Sequence, residues 1–246
     1  MSFIVAWRLL TAIPLGRRDL AIEQPGPSMA WFPLVGLIIG ALLVLIDSAL
    51  VRLLPSLPAT ALLLVTWVAI TGALHLDGFI DCCDGLLVPK PAERRLEIMK
   101  DSRVGAFGVV GAICLLLVKF SGLAALAPDE RLGWLLIVPA LSRWTMVWAA
   151  WRYPSARPDG LAVWFRQGLG WSHVAIAAGT ALLAALIFRG LSGVITFAAL
   201  WLIAWLFAVW VQRRIPGLTG DVYGAINELS EVAGLLLAAA LAGLAL

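Results

Sequence analysis

Long apolar runs alternate with short polar, proline-rich breaks along the whole chain. Residues 31–51, 59–74, 104–126, 132–151, 171–188, 192–211 and 222–246 each read as an apolar helix. Most approach or exceed the ~20 residues needed to cross a bilayer. The first run carries Gly36 and Gly40, spaced for close packing against another helix. Pro55 and Pro58 make a tight turn, and residues 59–74 run straight into the segment TGALHLDGFIDCCDGLL (71–87). Pro89 and Pro91 end that extension, and 92–100 reads as a short, charged amphipathic helix. Polar loops cover 152–170 and 212–221. Residues 1–16 are apolar apart from Arg8 but short for a span, which predicts an interfacial or re-entrant helix. Arg17, Arg18 and Asp19 open a polar linker that runs through Pro25 and Pro27. The pattern predicts an all-α fold: a polytopic integral membrane helical bundle of about seven transmembrane helices, one domain over 1–246.

Composition sharpens this. Of 246 residues, 62% are hydrophobic and 13% charged. An ordinary globular chain has about 25% charged residues. The lipid bilayer is therefore one partner. A net charge of +3 is too small to argue for nucleic acid. The placement of basic residues says more. With the N-terminus in the cytoplasm, 13 of the 18 Lys and Arg fall on the cytoplasmic side. Arg52, Arg131 and Arg189 fall on the other, and Lys119 and Arg143 lie inside spans. No basic stretch precedes the first apolar segment, so no cleavable signal is expected. Cys82, Cys83 and Cys114 lack metal-ligand spacing and read as small apolar residues. The 12 tryptophans fall mostly at span ends, as an interfacial belt.

The candidate chemistry is acidic. Asp77, Asp81 and Asp84 are spaced i, i+4, i+7, so a helix puts them on one face. Gly78, Phe79, Ile80, Cys82 and Cys83 fill the other faces. Carboxylates in so apolar a setting are costly and usually functional. A hard divalent cation, Mg²⁺, is the usual reason to keep three together. A second cluster lies in LTGDVYGAINELSE (218–231), where Asp221 and Glu228 share a face, Glu231 follows one turn on and Asn227 flanks them. Asp221 also suits an N-cap. Both clusters fall on the same side, so one Mg²⁺ site built from Asp77, Asp81, Asp84, Asp221 and Glu228 is expected, positioned to bind a diphosphate. Between them, KDSRVGAFG (100–108) offers Ser102 as a helix cap and Gly105 and Gly108 for close backbone approach. Lys100 and Arg103 beside that helix start suit an anion, although positive-inside anchoring explains them equally. Arg143, buried in a span, calls for a phosphate or carboxylate partner. Lys119 has no legible partner. Asp47 and Arg52 are close enough to pair structurally. His75 points away from the stripe, which suits a supporting or packing role over metal ligation. The candidate substrate-binding set is Lys100, Arg103, Arg143, His75, Asn227 and Glu231.

WFPLVGLIIG (31–40), TGALHLDGFIDCCDGLL, RLEIMKDSRVGAFG (95–108), LSRW (141–144) and LTGDVYGAINELSE occur in this order across most of the chain. Together they resemble the cobalamin synthase family of adenosylcobinamide-GDP ribazoletransferases. Ala73 stands where that family often has Gly, and Cys82 and Cys83 replace small or polar residues, while the three Asp are kept. The resemblance implies that α-ribazole or its 5′-phosphate attacks the cobinamide-linked phosphorus of adenosylcobinamide-GDP, with GMP leaving. It also implies Mg²⁺ dependence, Asp77, Asp81 and Asp84 as catalytic residues, and a bacterial or archaeal cytoplasmic (inner) membrane location. A homo-oligomer is left open. A CDP-alcohol phosphotransferase or an intramembrane prenyltransferase also pairs acidic motifs, but the DGxxAR and NxxxD patterns are missing. A cation transporter would carry its charges nearer the bilayer midplane and often internal repeats, and no period of roughly 20–50 residues recurs.

Overall fold

The computed structural model describes residues 2–15 and 25–243. The linker start at Arg17–Asp19 lies outside the described residues. Helix α1 (Ser2–Leu10) is followed, after the linker, by a 3₁₀ turn (Gly26–Trp31) that leads into α2 (Phe32–Leu53). Then come α3 (Ser56–Ile70), α4 (Leu74–Leu86), α5 (Ala92–Ile98), α6 (Ala106–Ala125) and α7 (Pro128–Arg152). A short α8 (Leu161–Arg166), a long α9 (Trp171–Gln212) and α10 (Gly220–Ala242) complete the chain. Among the described residues there is no strand, only an isolated parallel bridge between Ser155 and Leu218 that ties two loops together. Five helices are long and apolar enough to cross a membrane, and α3 with α4 passes the same test as a bent pair. The protein is an all-α, multi-pass membrane bundle.

One expectation about continuity changes, and one break falls where the sequence places it. Residues 59–74 do not run straight into the acidic segment: α3 and α4 meet at 89°. Gly72 and Ala73 both take left-handed backbone, φ 60° and 56°, which breaks the helix and turns its path. Carbonyls freed by such a break need partners in an apolar medium. The segment after α1 supplies one, as the Ala12 amide donates to the Ile70 carbonyl at 2.7 Å. The N-terminal helix thus buttresses the bend. Conversely, α9 is continuous by residue range but folds back on itself. Gly190 has φ 55° and ψ −133°, outside helical space. Trp171 packs on Trp151 at one end of α7. Arg189 reaches Glu130 and lies over the Trp134 ring at the other end. Trp201 then returns to Trp148. Residues 171–189 and 191–212 are therefore antiparallel limbs.

The core is α7, wrapped by α2, α9 and α10. Gly36 and Gly40 form the expected close contact. A side chain at either would overlap the α7 backbone at Pro139 or Leu136, 2.4 Å away. Asp47 continues that stripe and pairs with Arg131 at 2.8 Å, with Thr60 beside them, and not with Arg52 as expected. The reason is facing: Asp47 points inward at α7, while Arg52 is exposed on the opposite side. Arg131 is accordingly buried.

Candidate active site

Helices α4 and α10 run antiparallel and touch through their glycines. A Cβ at Gly78 would sit 2.9 Å from the Asp221 Cα, and one at Gly224 would sit 3.2 Å from the His75 Cα. This crossing brings Asp221 to the acidic stripe. It also separates the predicted metal ligands into three groups.

The first group is open. Asp77 is exposed and Asp81 half-buried, and neither carboxylate has a hydrogen bond or ion pair among the described residues. The charges of Asp221, Asp77 and Asp84 all act on Asp81, opposed by Arg157. Asp221 is half-buried; it accepts a hydrogen bond from the Thr219 hydroxyl at 3.1 Å and a long contact from Arg157 at 3.5 Å. Thr219, not Asp221, caps α10, its hydroxyl accepting from the Val222 amide. The cap being supplied two residues earlier leaves the Asp221 carboxylate at the surface of the site.

The second group is Asp84 alone. Its carboxylate accepts the Gly105 and Gly108 amides at 2.7 and 2.8 Å. The anion site at the start of α6 is real, but the anion is this side chain from α4. Ser102 does not cap the helix, since Gly105 occupies that position. Asp84 is thereby withdrawn from the shared site.

The third group is deep. Glu228 does not join the stripe, because Lys119 binds it at 2.9 Å in the bundle interior. Glu231 accepts from Lys119, from Arg143 and, at 3.2 Å, from Asn227. Ser142 stands against it at 3.4 Å. Lys119 also lies over the Trp67 ring, 4.5 Å from its centre. Arg143 has no solvent exposure and donates to the Pro139 carbonyl at 3.1 Å. Its charged partner is a carboxylate, and Arg143, Asn227 and Glu231 all lie buried in the bundle interior, away from the acidic rim. Two acids and two bases compensate one another, which is what burial of charge in lipid requires.

The remaining basic candidates lie at the acidic end but outside the cluster. Lys100 pairs with Asp159 at 3.6 Å, both exposed. Arg103 is bound bidentately to Asp101, and these hydrogen bonds hold the Asp101 carboxyl down at about 2. Arg157 was not singled out from the sequence, yet it is the cation that reaches Asp221, and it anchors to the Leu96 carbonyl at 2.9 Å. It belongs to an irregular loop with no motif; the signal available was its place among the basic residues of 152–170.

Beneath Asp77 and Asp221 lies a cavity of about 140 Å³, floored by His75, Met146 and Tyr223 and walled by α1, α8 and the 3₁₀ turn. His75 is buried, away from the stripe, between this cavity and the charges of Arg143, Glu231 and Lys119.

Among the described residues no three His, Cys, Asp or Glu side chains gather closely enough to hold a metal ion by themselves. Magnesium does not ask for that: it is commonly held by one or two carboxylates plus substrate phosphates. Two unpaired carboxylates, Asp77 and Asp81, with Asp221 close by, are a donor set of that kind.

The family model for cobalamin-5-phosphate synthase matches residues 2–239. The chain belongs to that family. Curated relatives agree along its whole length. An adenosylcobinamide-GDP ribazoletransferase of Geotalea daltonii is 39% identical, covering 98% of each chain. One of Desulfitobacterium hafniense is 40% identical over 94% of each. One of Roseiflexus sp. is 36% identical over 94% of this chain and 86% of the relative. No solved structure matches. As a member of the cobalamin-5-phosphate synthase family, the protein is an enzyme of cobalamin biosynthesis, and the acidic end of α4 is its candidate centre.

Proposed function

We propose that the chain is an adenosylcobinamide-GDP ribazoletransferase whose reaction runs at the Asp77–Asp81–Asp221 rim. A hydroxyl of α-ribazole, or of its 5′-phosphate, attacks the phosphorus joined to cobinamide. The new O–P bond replaces the P–O bond to GMP, which leaves. The hydroxyl proton passes to an unpaired rim carboxylate, Asp77 or Asp81. The product is adenosylcobalamin or its 5′-phosphate. One observation carries this reading: a near full-length family match whose acidic motif presents two unpaired carboxylates, Asp77 at a cavity mouth and Asp81 one turn further along the same helix face. Family membership also removes the transporter and other phosphotransferase readings.

We further propose that Asp77, Asp81 and Asp221 hold Mg²⁺, which would offset the charge that builds on the diphosphate as it is cleaved. Arg157 supplies a planar two-donor contact to phosphate oxygens by leaving its long contact with Asp221. Lys100 and Arg103 sit in exposed pairs, which contribute little stability and which a phosphate can displace. The strong bias of basic residues supports a site facing the cytoplasm from the inner membrane.

The test is GMP release by purified protein given adenosylcobinamide-GDP, ribazole and Mg²⁺. Asp81→Asn keeps the volume and removes a charge, so release should fall at least about a hundredfold while thermal unfolding stays near the parent's, the size expected when one charged catalytic contact is lost. Near-parental release by Asp81→Asn at limiting Mg²⁺ would remove Asp81 from the site.

A further inference from the structure

The cavity under the acidic rim contains two buried polar side chains with no partner. His75 is 2% exposed and neither ring nitrogen makes a hydrogen bond; Tyr223 is 3% exposed and its hydroxyl is also unpaired. Both line the cavity. An unsatisfied buried polar group costs about 1–3 kcal/mol. Both residues border one space, so a ring seated there lies beside two side chains that lack partners and can turn to meet it. The walls are otherwise apolar and aromatic. Phe32 and Phe165 meet edge to face with ring centres 5.7 Å apart, and Met29 and Met146 complete the sides.

We propose that this cavity is the subsite for the heteroaromatic base of the ribazole nucleoside, its ribose lying toward Asp77 and Asp221. The inference rests on the transferase reading above and assigns one reactant to one place within it. Size excludes the corrinoid macrocycle: an apolar cavity of roughly 150 Å³ takes up benzene, so 140 Å³ suits one ring of a bicyclic base with the other toward the mouth. Polarity argues against guanine, whose edge carries more donors and acceptors than His75 and Tyr223 can satisfy. Charge argues against the diphosphate, because no Lys or Arg lines the cavity and two aspartates stand at its mouth. A neutral flat ring bearing one or two hydrogen-bonding nitrogens fits all three conditions.

The experiment measures KM for each substrate with the other saturating, using the full chain in detergent. Tyr223→Phe removes only the hydroxyl, and Leu161→Trp, from the exposed edge of α8, fills the cavity. Loss of one hydrogen bond should raise the KM for ribazole roughly fivefold, and filling should raise it at least about tenfold. The KM for adenosylcobinamide-GDP should stay within about twofold on the same scale. A merely structural role would lower kcat or move both constants together. Free benzimidazole, used on the unmodified chain, should compete with ribazole and not with adenosylcobinamide-GDP, a readout that does not depend on how the variants fold. Competition with the corrinoid substrate, no inhibition, or a rise confined to its KM would overturn the subsite while GMP release leaves the transferase reading intact. Absence of GMP release from the unmodified chain would end both.

Discussion

The Asp84 carboxylate rests on two backbone amides, and it has room only because residues 105 and 108 are glycine. A methyl at Gly108 would sit 2.4 Å from an Asp84 oxygen, and one at Gly105 at 2.5 Å. Gly108→Ala should therefore push the carboxylate off the start of α6. Loss of a cap costs about 0.5–2 kcal/mol, and overpacking about 1–3 kcal/mol. We expect Gly108→Ala to lower stability by about 2 kcal/mol or more, seen as a lower Tm in detergent. Asp84→Asn keeps one accepting oxygen and should lose less. Equal Tm values for Gly108→Ala and the parent would mean that this contact does not hold α4 to α6. The spacing of Asp77, Asp81 and Asp84 made a common helix face legible. It did not make the partners legible, because those depend on which backbone or helix stands opposite. Asp77 and Asp81 meet solvent, while Asp84 meets an α6 whose start sequence had suggested a substrate anion.

At the scale of elements, the bend between α3 and α4 positions the site. It turns the Gly78 side of α4 against α10, where Gly78 meets Asp221 and brings that carboxylate beside the acidic stripe. The bend was not legible: Thr71, Gly72 and Ala73 sit inside an unbroken apolar run, and one glycine in such a run is tolerated by a helix. The reversal at Gly190 was legible because Arg189 interrupts the hydrophobic pattern there. Ala73 carries the strain of the bend, as left-handed backbone costs a non-glycine residue roughly 1–2 kcal/mol. Glycine relieves that but adds about 0.4–1 kcal/mol of unfolded-chain entropy. Ala73→Gly should thus gain about 0.5–1 kcal/mol, and Ala73→Val, with a branched Cβ, should lose stability. The check is the order of Tm values, Gly above Ala above Val. A lower Tm for the glycine variant would show that the hinge needs stiffness more than it needs relief.

For the whole molecule, the decisive contact joins three helices far apart in sequence. Lys119 of α6 and Arg143 of α7 meet Glu228 and Glu231 of α10. Each charge was legible as anomalous in its own span, but pairing across such separations cannot be read from one chain. The network fixes the depth of α10 in the bundle. Gly224 lies against His75, with Asp221 nearer the surface and Glu228 further in, so the register that places Asp221 at the rim is set by the buried charges. Lys119→Met would leave Glu228 and Glu231 facing Arg143 alone. An uncompensated buried charge costs about 3–5 kcal/mol. We expect the single variant to lose about that much stability, and GMP release with it as Asp221 shifts. Lys119→Met combined with Glu228→Gln removes one charge of each sign and should recover more than half of the lost stability, because both members of one pair are gone and Arg143 still answers Glu231. The measurement is thermal unfolding in detergent at neutral pH for the parent, both single variants and the double. Additive losses would mean that Lys119 and Glu228 are not coupled. The register of α10 would then depend on apolar packing against α7 and on the glycine contact with α4.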